Sequence, residues 1–238
     1  FIKFGQILST RPDLIPEDIV HELKQLQDNV PPFDDELARR IIEKELGSNS
    51  ADKTRVVLNQ GKPIASASLG QVYRANLKTE GGENIDVAVK VQRPGALVAI
   101  SLDIGIIRSF AEPWRKFKGL NSDLEGIIDE WGKRFIAELD YLAEARNGQL
   151  FREAMESRQD LANVVTAAPV YTSATTRKVL TTGWINGARL DESKEGDIPK
   201  LCAVALTAYL SMLLDLGFLH ADPHPGNLFR QNDGKLVI

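Results

Sequence analysis

The octet HADPHPGN, residues 220–227, sets the strongest limit on how this chain can fold. Pro223 and Pro225 fix the backbone φ angle and remove two N–H donors, so the octet cannot lie inside a helix or in a central strand. The sequence therefore predicts a rigid polar loop that presents His220, Asp222 and Asn227 together.

The spacing His-x-Asp-x-x-x-x-Asn within this loop indicates a specific chemistry. In protein-kinase catalytic loops with that spacing, the aspartate orients or deprotonates the attacking group and the asparagine binds magnesium. For the octet taken alone, the alternative is that Asp222 is an ordinary turn residue. A zinc site on His220 and His224 is disfavoured, because the prolines exclude the helix that would bring the two rings together and no cysteine is near.

The segment DVAVKV, residues 86–91, has the alternation of a strand. It predicts Val87, Val89 and Val91 on one face, with Ala88 and Lys90 on the other. The segment matches the V-A-I-K pattern of kinase strands, in which the alanine leaves room for a nucleotide base and the lysine pairs with phosphates. A solvated lysine on an edge strand is the alternative for an isolated match.

The strand before it, within PIASASLGQVYRA (63–75), begins with small residues and returns through the turn TEGGEN. A backbone without bulky side chains can approach phosphates and offer them its N–H groups. The sequence therefore predicts a phosphate-covering loop formed by Ala65, Ser66, Ala67, Ser68 and Gly70.

A helix predicted over 121–153 supplies acidic candidates for pairing with Lys90. On a helical wheel, Glu138 falls inside an apolar stripe, where an unpaired carboxylate would be costly to bury. Asp140 and Glu144 fall on another face. The wheel thus favours Glu138 as the buried acid. The stripe consists of Ile127, Ile128, Trp131, Phe135, Leu139 and Leu142.

Elsewhere the patterns indicate mixed helix and strand. A helix is predicted over 16–30, and Asp34 is predicted to cap a second helix that carries Leu37, Ile41 and Ile42 and ends at Gly47. Further helices are predicted near 96–110 and, as a buried core helix ended by Gly217, near 199–216. Strands are predicted at 56–58, 69–75, 87–91 and 177–187, with two short ones around Asn232-Asp233-Gly234.

Composition excludes some classes of protein. The 238 residues carry a net charge of −4, which argues against a dedicated nucleic-acid binder. One cysteine rules out an internal disulfide framework. No heptad pattern runs long enough for a coiled coil.

With these motifs in order, the chain resembles the UbiB family of atypical, protein-kinase-like enzymes, also called aarF-domain kinases. The resemblance runs from Lys3 to Ile238 and rests on KFGQ, ASASLGQV, VAVK, ELD followed by YLAEARN, and DPHPGN. It implies an α+β, protein-kinase-like fold of two lobes. The implied parts are an N-terminal helical extension (1–50), a β-rich N-lobe with a long helix (51–182) and a partial, C-terminally truncated helical C-lobe with the catalytic loop (183–238).

The resemblance also implies site roles. Lys3 and Gln6, on the N-terminal extension, would pack over the active site as a regulatory motif, with Glu138 and Asp140 as their partners. That leaves Glu144 as the better partner for Lys90, against the wheel argument, and the choice between Glu144 and Glu138 stays open here. Asp222 would act on the attacking water or hydroxyl, and Asn227 would bind metal.

The implied activity is binding of Mg-ATP between the lobes, followed by phosphoryl transfer or ATP hydrolysis. The implied role is in isoprenoid quinone or prenyl-lipid metabolism, with prenyl lipids or quinone-biosynthesis proteins as partners and peripheral association with a membrane. The expected location is an organelle, plastid rather than mitochondrion, or a bacterium.

The chain departs from the family pattern at two points. The chain stops short of an Asp-Phe-Gly-type metal ligand, so we expect the fragment by itself to be weak or inactive. Gly183 stands where an acidic residue is expected in the connecting strand. Two rival functions are a small-molecule phosphotransferase of the aminoglycoside/choline type and a non-catalytic, nucleotide- or lipid-binding pseudokinase.

Overall fold

The computed structural model describes residues 30–47, 55–59, 61–79, 81–119, 123–217 and 227–238, with Gly5, Asp18 and Glu22 as isolated positions. Lys3, Gln6, His220 and Asp222, and nearly all of the helix predicted over 16–30, lie outside the described residues.

Helix α1, Asp35–Leu46, begins where the sequence predicts. The carboxylate of Asp34 accepts a hydrogen bond from the Leu37 amide at 2.9 Å, and the helix ends at Gly47. Its buried residues are Ala38 and Ile42, which pack against the first sheet.

The first sheet is antiparallel and carries the lysine strand at its centre. Its order is β1-β3-β4-β6, and the short β2 pairs with β3. Val87, Val89 and Val91 are fully buried, as the alternation predicts, and Lys90 lies on the other face, opposite Val72 in β3 and Leu180 in β6. The strands are β1 Arg55–Leu58, β2 Ala65–Ser66, β3 Gly70–Lys78, β4 Asn84–Gln92 and β6 Val179–Gly183.

Three helices lie between β4 and β6, and the helix predicted over 121–153 is in fact two. The chain breaks at Glu138–Asp140 because the Asp140 carboxylate caps a new helix, accepting from the amides of Leu142 (3.1 Å) and Ala143 (3.2 Å). The break resets the helical phase, so a single wheel across this region is wrong. The helices are α2 Ala96–Lys118, α3 Leu124–Ala137 and α4 Tyr141–Ser157.

A second, smaller sheet and a long helix form the other core. The sheet has the order β5-β9-β8-β7, and Phe151 and Met155 of α4 pack with α5 in its core. Helix α4 therefore contacts both cores, with Tyr141 near the first sheet and Met155 in the second. These elements are β5 Val165–Thr166, β7 Gly187–Arg189, α5 Ile198–Ser211, a π-helical turn Met212–Leu216, β8 Phe229–Gln231 and β9 Leu236–Val237.

Helix α5 ends before Gly217, whose φ of 69° is left-handed, as predicted. The prediction of a buried core helix holds for one face, which packs Leu201, Ala205 and Ala208 into the core of the second sheet. The other face leaves leucines in solvent. Among the described residues, one helical segment, Ile198–Leu216, is both long enough and apolar enough to cross a membrane. The core helices of soluble proteins pass the same test of length and composition. The exposed leucines are Leu206, Leu210, Leu213 and Leu214.

Candidate functional site

The candidate site is built around an ion pair between the first sheet and helix α4. The Lys90 ammonium lies 2.8 Å from Glu144 Oε1 and 2.9 Å from Oε2, so both carboxylate oxygens accept from it. The two side chains are 35% and 44% exposed, which leaves the pair open to a ligand on one side. Of the two acids that the sequence leaves open, Glu144 is the one that contacts Lys90.

The ring of Tyr141 packs against the Lys90 side of this pair. Tyr141 is the first residue of α4, is fully buried, and its ring centroid lies 4.8 Å from the Lys90 ammonium, a cation–π distance. Among the described residues, nothing forms a hydrogen bond with its buried hydroxyl. Tyr141 therefore contributes a ring that supports the cation and a hydroxyl that the described residues do not satisfy.

Lys90 is protonated at neutral pH. Burial is the largest single influence and lowers the pKa of Lys90. The charge of Glu144, the charges of Tyr141 and Glu138 and the hydrogen bond with Glu144 together outweigh it, so the pKa is raised above its ordinary value. Burial raises the pKa of Tyr141 to about 12. The site thus presents a permanent cation beside a neutral phenol.

The alanine-rich segment, residues 65–70, folds back over the start of β3. Ala65 and Ser66 pair with Val72 and Gln71, and the Ala67 amide donates to the Gly70 carbonyl at 2.8 Å. A Cβ at Gly70 would lie 2.5 Å from the Val91 carbonyl oxygen and 2.6 Å from the Tyr141 hydroxyl. Glycine is therefore required here for the close approach of this segment to the Lys90 strand.

Ala88 lies two residues before Lys90 on the same face of β4 and is half-buried. The neighbouring position on β6 that the sequence marks as a departure, Gly183, also has a packing reason. A Cβ at Gly183 would lie 2.7 Å from the Pro169 ring, and the Gly183 amide donates to the Pro169 carbonyl at 2.8 Å. An acidic side chain does not fit in that position.

The wheel argument for Glu138 is wrong. Glu138 is exposed at the C-terminal end of α3, because the helix ends there instead of continuing in phase. Asp140 is occupied as the N-cap of α4 and lies 3.9 Å from Arg177. The expected contacts of Glu138 and Asp140 with Lys3 and Gln6 stay a prediction, because those two residues lie outside the described part.

The loop that would face Lys90 is described only at its end. Asn227 is exposed and lies two residues before β8, and the carbonyl of the intervening Leu228 accepts from the Leu190 amide at 2.8 Å. Among the described residues, no group of three or more His, Cys, Asp and Glu side chains is arranged to hold a metal. Convergence of Asp222 on Lys90 stays a prediction.

Sequence reasoning missed Tyr141 and two other residues at this site, Gln71 and Arg93. Tyr141 precedes Glu144 by three residues, so the two share a helix face, and that spacing was available as a signal. Gln71 is fully buried and Arg93 contacts the alanine-rich segment. Their contacts join residues 38 and 26 positions apart, and no local pattern reports them.

We expect Tyr141→Phe to raise the free energy of unfolding by about 1 kcal/mol near neutral pH, because it removes a buried hydroxyl without a partner. The raised Tyr141 pKa favours the neutral phenol in the folded state. The stability that comes from this pKa difference between the folded and unfolded states is therefore fully present below the ordinary pKa of 10.0. It is lost as the pH rises through the folded-state pKa of about 12. Denaturant unfolding between pH 7 and 12 should show a smaller alkaline loss in the variant. Lower stability of Tyr141→Phe at neutral pH would contradict this account.

Comparison with known proteins shows which family this chain matches. The family model described as "ABC1 atypical kinase-like domain" matches residues 25–238. An aarF domain-containing protein kinase of Arabidopsis thaliana, described as uncharacterised and chloroplastic, is 42% identical across the whole chain, which covers 32% of that protein. The chloroplastic Arabidopsis protein Activity of bc1 complex kinase 3 is 41% identical, again across the whole chain, with 33% of that protein covered.

A cyanobacterial relative and a solved structure also match the chain over nearly its whole length. An uncharacterised Synechocystis protein is 45% identical over the whole chain and 34% of its own length. A Mycobacterium tuberculosis protein solved in complex with erythromycin matches with a TM-score of 0.68 and 28% identity, covering 98% of this chain and 58% of that one. The chain thus spans about a third of the length of these curated relatives.

The match over most of the chain confirms the α+β, kinase-like fold that the motifs indicate. The chloroplastic and cyanobacterial relatives are consistent with a plastid or bacterial origin. The chain belongs to the ABC1, or UbiB, family of atypical kinase-like proteins.

Proposed function

We propose that this chain forms part of an enzyme that binds Mg-ATP and catalyses phosphoryl transfer or ATP hydrolysis. The observation that carries the proposal is the Lys90–Glu144 pair, in which a strand lysine is held by both oxygens of a helix glutamate. Kinases require this pair to place the lysine on the α- and β-phosphates.

The chain offers a residue for each part of a bound nucleotide. Lys90 would bind the α- and β-phosphates, and Ala88 would leave room for the base. Residues 65–70 would cover the phosphates with those backbone N–H groups that, unlike the Ala67 amide, are not bonded within the segment. Asn227 would supply one amide oxygen to Mg²⁺, an ion that usually keeps several waters and binds substrate phosphates. When bound, Mg²⁺ would neutralise charge on the phosphates. Asp222 would orient or deprotonate the attacking water or hydroxyl.

The alanine-rich segment favours hydrolysis or self-phosphorylation over phosphorylation of protein substrates. Alanines stand where two glycines of a kinase loop would be, and the predicted N-terminal extension, carrying Lys3 and Gln6, would cover the site. A site covered in this way would restrict access of a large substrate to the phosphates.

Replacing Lys90 with Ala is the most direct test of the nucleotide site. In the full-length protein, we expect Lys90→Ala to weaken Mg-ATP binding at least tenfold in a calorimetric titration, because it removes the cation that the phosphates contact. Lys178→Ala is the matched control, since Lys178 also lies at the first sheet and lies 3.6 Å from a glutamate, Glu45. Equal affinity in the Lys90→Ala and Lys178→Ala variants would overturn the proposed site.

Two alternatives remain as proposals with their own tests. The first alternative is a small-molecule phosphotransferase, and what supports it is that the matching Mycobacterium tuberculosis protein was solved in complex with a small molecule, erythromycin. Assays with small alcohols and macrolides would detect it. A pseudokinase would bind nucleotide without turnover.

Asp222→Asn separates the enzyme from the pseudokinase. In the full-length protein we expect ATP hydrolysis to fall about 100-fold or more, as for loss of a general base, while Mg-ATP affinity stays within about threefold. Steady-state phosphate release and a parallel titration measure the two quantities. Unchanged turnover with binding intact would support the pseudokinase.

We further propose a role in prenyl-lipid or quinone metabolism at a membrane, with prenyl lipids or quinone-biosynthesis proteins as partners. What supports membrane association is the outer face of α2, which leaves large apolar side chains in solvent along much of its length. A helix with such a face suits the interface of a bilayer. The exposed residues are Val98, Leu102, Ile106, Phe110, Trp114 and Phe117.

A further inference from the structure

Arg93, the residue after β4, contacts the alanine-rich segment from both its backbone and its side chain. Its amide donates to the Leu69 carbonyl at 2.8 Å. Its Nη2 donates to the Ser66 hydroxyl and the Ala67 carbonyl, each at 3.3 Å. The same nitrogen also donates to the Pro31 carbonyl at 2.8 Å. One guanidinium thus joins the alanine-rich segment to the stretch that precedes α1.

Residues 31–35, which comprise that stretch and the first residue of α1, are held on the first sheet independently of Arg93. The fully buried Gln71 accepts from the Phe33 amide at 3.0 Å and donates to the Phe33 carbonyl at 3.3 Å. It also contacts the Tyr73 hydroxyl, which in turn donates to Asp35 at 2.8 Å. Residues 31–35 are therefore a fixed support to which Arg93 can attach the alanine-rich segment.

The charge of Arg93 forms no ion pair with any residue that the structure describes. Among the described residues, no carboxylate lies within salt-bridge distance of its guanidinium, and its Nε is buried without a hydrogen-bond partner. Its charge is met by carbonyls, a hydroxyl and the ring of Phe33, whose centroid lies 5.4 Å away. A cation that donates to neutral carbonyls makes stronger hydrogen bonds than a neutral donor does. This arrangement suits holding a backbone segment in place.

We propose that Arg93 is a positioning residue that holds the alanine-rich segment against residues 31–33 and thereby sets how fast nucleotide leaves the site. The second half rests on the proposed function, because it requires nucleotide under residues 65–70. Lifting this segment away from Lys90 requires the contacts of Arg93 Nη2 with Ser66 and Ala67 to break. Nucleotide release is then slowed by a side chain that does not touch the reacting atoms.

Amide hydrogen exchange on the full-length protein without nucleotide tests the first half. We expect Arg93→Met, which keeps the length of the side chain but has no donor, to speed exchange of the amides of residues 66–70 at least fivefold. Arg93→Lys, which retains a donor nitrogen, should restore part of the protection. Exchange within β4 should stay unchanged in both variants, which shows that the sheet is folded.

Arg74→Met is the matched control. Arg74 is also an arginine of the first sheet that stacks on an aromatic ring, Trp184, at 4.6 Å, and it pairs with Asp86. The Arg74 side chain forms no hydrogen bond or ion pair with residues 65–70, so exchange there should match the wild type. Equal exchange of residues 66–70 in Arg93→Met and the wild type would overturn the proposal.

The release rate of a fluorescent ATP analogue with Mg²⁺ tests the second half. We expect the dissociation rate to rise at least fivefold in Arg93→Met and to be unchanged in Arg74→Met. Faster amide exchange with an unchanged dissociation rate would overturn the control of nucleotide release. A wild-type protein that binds no nucleotide would overturn the proposed function instead, and the exchange experiment would still decide whether Arg93 holds the segment.

Discussion

The ion pair between Lys90 and Glu144 is the interaction on which the rest of the site depends. The ammonium is partly removed from water on the central strand of the first sheet, so it needs a carboxylate at contact distance. Glu144 reaches it because α4 begins at Tyr141, and α4 begins there because Asp140 caps it. A carboxylate that caps a helix thus sets the position of a second carboxylate that holds the cation.

Close packing around this pair explains the small residues of the neighbouring segment. A Cβ at Gly70 would clash with both the Val91 carbonyl and the Tyr141 hydroxyl, so the segment, the lysine strand and α4 come close together at this glycine. Arg93 and Gln71 then join the segment to residues 31–35. The sheet, α4 and the stretch before α1 are therefore mechanically linked at the place where we propose that phosphates bind.

Local sequence patterns predicted the helices and strands that depend on neighbouring residues. They missed the features that depend on contacts between residues far apart in the chain. The period of two in DVAVKV predicted both the strand and its buried face, and the Asp34 side chain predicted the start of α1. The wheel failed for Glu138 because the cap at Asp140 restarts the helix and no apolar period reports such a restart. The exposed leucines of α5 and the support of the alanine-rich segment by Arg93 depend on tertiary packing.

The central claim is that Lys90, held by Glu144, binds the phosphates of ATP. A crystal structure of the full-length protein with Mg²⁺ and a non-hydrolysable ATP analogue measures this directly. The account predicts Lys90 Nζ within about 3.2 Å of an α- or β-phosphate oxygen while it remains bonded to Glu144, with Asp222 facing the γ-phosphate. Nucleotide bound away from Lys90, or Lys90 and Asp222 on opposite sides of the molecule, would contradict it.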